Sequence, residues 1–520
     1  MITTSDVRLF AYEQGPWRGR LDRHPRIDHT VPTTAAVPPA AARGTDGRLL
    51  PYGTHRLLAG ARYPQLPALP AGAAGAAGAA GERLGHLLVA AVGLQRREPS
   101  NLFNDHRAVA SVRSMFPVHL FVVAPDGSTG YLDLYRHALV DLPVRVAPDG
   151  DLAGLLPAAG DVTVLLAARY TDLPTGYGEL RCTLGLLELG VNLRALHVAA
   201  DLLDVRVRLR LDGTDTSAAG RLVAGSGPGA WSPPLVMTLE GVGPVPPSAP
   251  LPGGTRSTPP PDADGYRQED VRLAQDSADA SLRKAASVTA SLTELACPAA
   301  EPVPGVPELQ VRDAAGAQPS WAGTLWNRSA GRVPAVVSGF SARPAVLGED
   351  CLADMLAWLN QPAPEPLAEV GSRVRTTVAL QRMAGLPTGR YSVVAGELEP
   401  EQADAGLMQE LQDGFSYALT PAIDCGLRHA NAMWVFSADI DGILAEFGPA
   451  GWPLLQMWCG WSAHGLSTAA AGHGLFARPA RSFDEFRLQH VMGLPRHVLP
   501  VFSVTCGRSR FAEPMLDLRT

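Results

Sequence analysis

The sequence contains almost no lysine. Lys284 is a lysine and all the other basic residues, of 44 in total, are arginines, so an anion site in this chain must be built from guanidinium groups or backbone amides. There are 51 acidic residues and the formal net charge is -7, which argues against a nucleic acid as partner. Hydrophobic residues make up 46% and charged residues 18%, and this balance indicates a globular protein.

Long apolar runs and closely spaced cysteines are also missing. No apolar run reaches the ~18 residues of a membrane-spanning helix, and the N-terminus lacks the basic and apolar blocks of a signal peptide. We therefore expect a cytoplasmic protein with no membrane partner. The six cysteines are scattered without a CxxC pair or a histidine pair at zinc-finger spacing, which predicts buried free thiols and no metal site.

Two stretches of low complexity divide the 520 residues. The proline-rich segment that starts at residue 244 cannot continue a helix or supply sheet donors. We therefore assign 244–310 to a linker between an N-terminal domain, 1–243, and a C-terminal domain, 311–520. Within the first domain the Ala/Gly run 71–81 predicts an exposed flexible loop, because glycine at every third position opposes the helix that alanine favours.

The two domains share a sequence repeat. A segment that starts at Gly190 aligns without gaps with one that starts at Gly460. The aligned pairs include Leu196 with Leu466, Ala199 with Ala469, Val205 with Leu475 and Arg208 with Arg478. Each segment predicts a helix with small residues where another helix approaches, followed by a short turn or strand. Further strand patterns lie on both sides without strict βαβ alternation, which favours an α+β fold.

Residues 90–140 carry the first of several family motifs. The matching residues are Ser111, Phe116, Pro117, Tyr135, His137, Ala138 and Leu139. This region resembles the flavin-binding region of nitroreductase-fold azoline dehydrogenases, which oxidise azoline rings during thiazole and oxazole formation in peptides. The usual loop in that family is Pro-Ser-x-Gly; here Ala110 replaces the proline and Arg113 replaces the glycine.

The segment 177–190, YGELRCTLGLLELG, resembles the family's Lys-Tyr-Gly-Glu-Arg block and the long helix that follows it. Gly176 stands at the position of the family's catalytic lysine. The resemblance makes Tyr177 the candidate catalytic acid or base, and a phenol with an ordinary pKa of about 10 would need a cation such as Arg169 or Arg181 to lower it. Tyr417 is a second, lower-ranked candidate.

The second domain resembles the nitroreductase pattern at both ends, from Trp326 onwards and near the C-terminus. The resemblance implies an FMN cofactor, whose phosphate monoester calls for forked, permanently charged donors. The phosphate candidates are Arg328, Arg508 and Arg510, supported by Ser329 and Arg332. From the first domain, the loop with Ser111 and Arg113 is expected to bind the cofactor as well. The tryptophans 452, 458 and 461 are expected either to stack on the flavin or to form core.

The resemblance also implies the architecture and the function. We expect two tandem nitroreductase-like domains, each a mainly antiparallel sheet packed with helices, that form an intrachain pseudo-dimer. The first domain lacks the terminal arginines, so we expect one working FMN site and one degenerate site. The expected activity is azoline oxidation in a ribosomally made peptide, with a cyclodehydratase or a leader-peptide-binding protein as partner. The alternatives are an FMN oxidoreductase acting on a small molecule or another Cα–Cβ bond, and a non-catalytic scaffold. Further dimerisation stays open.

Overall fold

The computed structural model describes most of the chain. The described residues are 2–13, 38–39, 42, 44–61, 76–98, 105–226, 230–243, 245–252, 280–297, 299–311, 319–330, 339–343, 345–415, 426–509 and 515–520. Within these ranges no helix is both long enough and apolar enough to cross a membrane.

The first half is built on an eight-stranded antiparallel sheet with the order β10-β1-β6-β5-β4-β7-β9-β8. Its strands are β1 (Asp46–Leu49), β4 (Val118–Val123), β5 (Thr129–Asp133), β6 (Ala138–Asp141), β7 (Val162–Ala168), β8 (Arg206–Arg210), β9 (Leu235–Glu240) and β10 (Ala249–Pro250). Its helices are α1 (Thr4–Glu13), α2 (Thr54–Gly60), α3 (Ala76–Val92), α4 (Leu180–Leu202) and α5 (Gly213–Gly225). A further helix, α6, covers residues 280–290.

The second half is built on a six-stranded antiparallel sheet with the order β13-β12-β11-β14-β16-β15. Its strands are β11 (Val374–Leu380), β12 (Gly389–Val394), β13 (Glu397–Ala403), β14 (Ala432–Ala438), β15 (Phe476–Ala480) and β16 (Leu499–Gly507). Its helices are α7 (Trp321–Asn327), α8 (Glu349–Asn360), α9 (Leu367–Gly371), α10 (Leu407–Gly414), α11 (Ile440–Phe447), α12 (Gly451–Gly472) and α13 (Glu485–Val491).

The two sheets have the same internal order. The run β4-β7-β9-β8 of the first half matches β11-β14-β16-β15 of the second, and the long helices α4 and α12 occupy equivalent places before β8 and β15. Every residue of β4, β7 and β14 is buried, as expected of strands covered on both faces. The structure therefore confirms the predicted α+β fold with two tandem domains.

Helices α4 and α12 cross in direct backbone contact. A Cβ atom placed on Gly190 would lie 1.9 Å from the carbonyl oxygen of Met457, and one placed on Gly460 would lie 1.9 Å from the carbonyl oxygen of Leu187. The register that aligns Gly190 with Gly460 also aligns Leu187 with Met457, so the two contacts are the two halves of one pseudo-symmetric crossing. The two helices that carry the sequence repeat therefore cross at the pseudo-twofold axis of an intrachain pseudo-dimer.

The halves share more than this crossing. One hydrophobic core runs through both of them, from Val7 near one end to Cys506 near the other. A small third sheet joins β2 (Leu94–Arg97) and β3 (Asp105–Arg107) of the first half to β17 (Leu516–Asp517) at the end of the chain. The C-terminus therefore returns to the first half.

Two sequence predictions about loops need correction. The Ala/Gly run was expected to be a loop over 71–81, but α3 begins at Ala76, because the alanines and the apolar run that follows outweigh the glycines. Residues 71–75 lie outside the described residues. The extended linker over 244–310 is wrong for residues 280–294, which form α6 and a 3₁₀ turn. The apolar spacing of Ala285, Val288 and Leu292 places these three side chains in the core.

Candidate functional site

A solvent-open cleft of about 1210 Å³ lies between the halves, beside the helix crossing. The first half contributes residues 109–114, Phe116 and the start of α4, and the second half contributes Arg328, Ala330 and residues 478–482. This volume includes open solvent at the mouth of the cleft, so it describes an open groove between the halves and not an enclosed cavity. It gathers four of the predicted site residues: Ser111, Arg113, Tyr177 and Arg328.

The first-half loop before β4 is held in an unusual backbone conformation. Arg113, Ser114 and Phe116 have φ angles of 50°, 52° and 50°, in the left-handed region that favours glycine. A non-glycine residue in this region costs about 1 kcal/mol or more. Arg113 nevertheless adopts it and places a buried guanidinium group in the wall of the cleft.

Glu188 of α4 fixes this loop. Its Oε1 accepts hydrogen bonds from Ser111 Oγ (2.9 Å) and from the Val112 backbone N–H (2.8 Å). Ser111 Oγ in turn accepts from the Phe116 backbone N–H (2.8 Å). Burial raises the pKa of the Glu188 carboxyl to about 8, although the two hydrogen bonds and the Arg107 charge act in the opposite direction.

Tyr177 lies at the entrance to α4. It ends a 3₁₀ turn, its backbone N–H donates to the Pro174 carbonyl (3.0 Å), and its half-buried side chain lines the cleft. The two arginines proposed to lower its pKa have other partners: Arg169 forms an ion pair with Asp172 at 2.7 Å. Arg181 donates to the Gly178 carbonyl (3.2 Å) and to Ser281 of α6.

Arg328 is buried on the second-half side of the cleft, with 4% of its surface exposed. Its Nη2 donates to the Arg107 carbonyl oxygen (3.1 Å), and its Nε has no hydrogen-bond partner among the described residues. Burial, followed by the nearby Arg96 guanidinium, lowers the pKa of Arg328 to about 9. Arg328 makes no ion pair within the described part of the chain, although a buried charge ordinarily has a counter-charge.

The cleft contains two arginines that sequence reasoning did not assign to the site. Arg478 is 3% exposed and its Nε donates to the Ala330 carbonyl oxygen (3.0 Å). Arg481 is buried with its guanidinium 5.4 Å from the centre of the Trp452 ring. In the sequence, Arg478 could have been noticed because the repeat aligns it with Arg208. The sequence does not show that their surroundings differ: Arg478 is buried, whereas Arg208 is partly exposed and paired with Glu240 and Glu301.

The remaining predicted site residues lie elsewhere. Arg508 is exposed and is not among the residues that line the cleft; its carbonyl oxygen accepts from the Ser341 backbone (2.9 Å). Its strand continues past the cleft, so the residue after the last buried position points to solvent. Ser329 is half-buried between two lining residues, and its carbonyl oxygen accepts from the Ala477 backbone (3.1 Å). Arg332, Arg510 and Tyr417 lie outside the described residues.

The pseudo-symmetric counterpart of the cleft is built differently. Trp458 is equivalent to Glu188 in the repeat register, and it packs against Gly371 in the segment before β11. Its indole Nε1 would lie 2.0 Å from a Cβ atom on Gly371. Arg208, the equivalent of Arg478, is neutralised by its two carboxylates. A bulky indole thus stands at the place of Glu188, and an arginine paired with two carboxylates stands at the place of Arg478.

Comparisons with known proteins identify the fold. No protein-family model and no curated protein matches the sequence. Among solved structures, a candidate nitroreductase from Anabaena variabilis aligns with a TM-score of 0.63 and 16% identity, over 97% of this chain and 99% of that one. The chain therefore has a nitroreductase-like fold over nearly its whole length. Because the other chain is also covered throughout, the tandem arrangement is common to both.

Two further solved structures match smaller parts of the chain. A candidate nitroreductase from Ralstonia eutropha aligns at 22% identity over 42% of this chain and 100% of that one, with a TM-score of 0.27. The Escherichia coli microcin synthetase McbBCD complex with truncated pro-MccB17 bound aligns at 14% identity over 34% of this chain and 68% of that one, with a TM-score of 0.29. Both TM-scores are low.

Proposed function

We propose that this protein is an FMN-dependent oxidoreductase whose cofactor binds in the cleft between the halves. The observation that carries the proposal is Arg328, a buried guanidinium with an unpartnered Nε and no ion pair among the described residues. A dianionic phosphate is the ligand that such a group accommodates best. The position of the cleft between the halves and the neighbouring Arg478 also suit a phosphorylated, ring-shaped cofactor. Ser329, Arg332 and Arg510 stay proposed phosphate ligands.

The proposed reaction is the oxidation of azoline rings to azoles in a ribosomally made peptide. When bound, FMN supplies the two-electron acceptor. The loop that contains Ser111 and Arg113 is the proposed contact of the first half with the cofactor, and Tyr177 holds or moves a proton at its phenolic oxygen. What supports this choice of reaction is the sequence resemblance at these same residues, which also implies a peptide-presenting partner such as a cyclodehydratase.

The purified protein is expected to contain one FMN per chain. In the counterpart of the cleft, Trp458 stands at the place of Glu188, and Arg208, at the place of Arg478, is already paired with two carboxylates, so this position is not expected to hold a phosphate. The flavin absorbance released by denaturation, divided by the protein concentration, measures this ratio. A value near two would contradict the assignment of a single site, and a colourless protein that takes up no added FMN would favour the scaffold alternative.

Turnover is expected to distinguish the two enzyme alternatives. An azoline-containing peptide should lose two hydrogens per ring by mass spectrometry when oxygen is present and nicotinamide is absent. If the protein oxidises reduced nicotinamide with a small acceptor and leaves the azoline peptide unchanged, the alternative small-molecule oxidoreductase is correct.

A Tyr177→Phe variant should bind FMN like the parent but oxidise the azoline peptide about 10²–10⁴-fold more slowly. The phenol-to-phenyl change removes one hydroxyl from the cleft wall and leaves the packing of the ring intact. Single-turnover reduction of the bound flavin by the peptide measures the effect on the chemical step. An unchanged rate would remove Tyr177 from the mechanism.

A further inference from the structure

The hydrogen bonds that Glu188 makes to the loop do not require an ionisable side chain. A single carboxylate oxygen, Oε1, makes both hydrogen bonds to the loop. The other oxygen, Oε2, is buried and has no hydrogen-bond partner among the described residues. A glutamine at this position could hold the loop through its amide oxygen. The structure instead keeps an ionisable group, 6% exposed, in the wall of the cleft.

The surroundings of Glu188 favour a change in its charge during the reaction. It is the one acidic side chain among the described residues that line the cleft. The charged and titratable groups around it, on β3, the loop, the start of α4 and the second half, are His106, Arg107, Arg113, Tyr177, Arg328, Arg478 and Arg481. Burial lowers the pKa of His106, which is paired with Glu98 at 2.9 Å, so this imidazole does not compete for the proton near neutral pH.

Ser111 connects the buried carboxyl group to the cleft. Its hydroxyl lines the cleft, donates to Glu188 Oε1 and accepts from the Phe116 backbone N–H. A hydroxyl group can accept one proton and release its own, so it can conduct a proton without a net change.

We propose that Glu188 stores the proton released in the cleft when the substrate is oxidised, and that Ser111 conducts this proton between the cleft and the carboxyl group. The inference rests on the proposed function. Oxidation of the ring breaks two C–H bonds: one hydrogen leaves with its electron pair to the cofactor, and the other leaves as a proton. Above about pH 8, where Glu188 is ionised, that proton converts the carboxylate to the neutral acid, and Ser111 ends the step unchanged. Reoxidation by oxygen consumes a proton and returns Glu188 to the ionised form.

The first test uses the flavin-loaded protein without substrate. The midpoint potential of the bound flavin, measured between pH 6 and pH 10, should fall more steeply with pH above about 8 in the parent, because Glu188 is ionised in the oxidised protein and takes up a proton on reduction. A Glu188→Gln variant, which keeps the loop contacts, should lack this additional change of slope near pH 8. A Ser111→Ala variant should keep the change of slope, because the potential is an equilibrium quantity, yet oxidise the azoline peptide at least about tenfold more slowly.

Asp201 provides a matched control. It lies on the same helix outside the cleft, burial raises its pKa, and its carboxylate accepts from the Val306 backbone. Asp201→Asn should leave the potential against pH unchanged. A change of slope that persists in Glu188→Gln, or that disappears in Asp201→Asn, would overturn the proposal. If the potentials behave as expected but azoline peptides are not oxidised, the proton store stands and the proposed substrate is wrong.

A second test needs neither cofactor nor substrate. Because the pKa of Glu188 is raised in the folded protein, the stabilising contribution of its neutral form is present below about pH 4.5 and is lost as the pH rises towards about 8. Thermal unfolding should therefore give similar midpoints for the parent and Glu188→Gln near pH 4.5, and a midpoint several degrees higher for Glu188→Gln at pH 9. Equal midpoints at pH 9 would contradict a buried, neutral-favouring carboxyl group.

Discussion

A Gly460→Val variant should lose the folded arrangement of the two halves. Even the first side-chain carbon would lie 1.9 Å from the carbonyl oxygen of Leu187, and a backbone atom of a fully packed helix cannot move aside. Either α4 and α12 separate or the helices shift along each other, and overpacking of this kind typically costs about 1–3 kcal/mol or more. Thermal unfolding and retention of flavin measure the effect, and both should fall together because the cleft lies beside the crossing.

The matched control for this substitution is Gly220→Ala in α5. A Cβ atom there would meet Pro234 at an ordinary 3.9 Å, and alanine favours a helix over glycine by about 1 kcal/mol. This variant should unfold at the same temperature as the parent or slightly higher. If Gly460→Val were as stable as Gly220→Ala and kept its flavin, the close crossing of the helices would be refuted.

An Arg328→Ala variant should bind FMN at least about 100-fold more weakly than the parent. Truncating one partner of a buried charge pair costs about 2–5 kcal/mol, and a phosphate held by a forked guanidinium would lose both the charge and the directed hydrogen bonds. The dissociation constant can be measured by fluorescence quenching of free FMN. Arg328→Lys should recover part of the affinity, since the charge is kept and the fork is lost.

An Arg508→Ala variant tests whether the phosphate is bound by Arg328 alone or also by Arg508, as the sequence predicted. Arg508 was expected to hold the phosphate, but its side chain is exposed and is not among the residues that line the cleft. The variant should bind FMN with parental affinity. Weak binding in Arg508→Ala together with normal binding in Arg328→Ala would move the phosphate away from the proposed position.

The tandem architecture could be predicted because the helix that forms the crossing in each half carries a recognisable sequence pattern. Gly190 and Gly460 begin two segments that align without gaps, and small residues at a helix crossing are required by contact between backbones. The α+β class also followed from the absence of strict strand and helix alternation. The linker failed as a prediction at α6 because proline-rich composition was extended to a segment that has its own apolar spacing, with Ala285, Val288 and Leu292 in the core.

The candidate site was harder to predict. Ser111, Arg113, Tyr177 and Arg328 come together as expected, since each was carried by a recognisable motif. Arginine alone is no guide in a chain with almost no lysine, so Arg478 and Arg481 could not be told from the solvated arginines without knowledge of burial. Arg508 was assigned on the same ground, and its exposed side chain is not among those that line the cleft. Glu188 belonged to a matching motif, but its role depends on the loop 77 positions away.

The covalent joining of the two halves has an evolutionary consequence. In a symmetric homodimer every mutation appears at two places at once, so a residue that improves one site also alters its mirror image. Two similar halves within a single chain are free of that coupling. A glutamate can therefore occupy position 188 while its counterpart at 458 is a tryptophan.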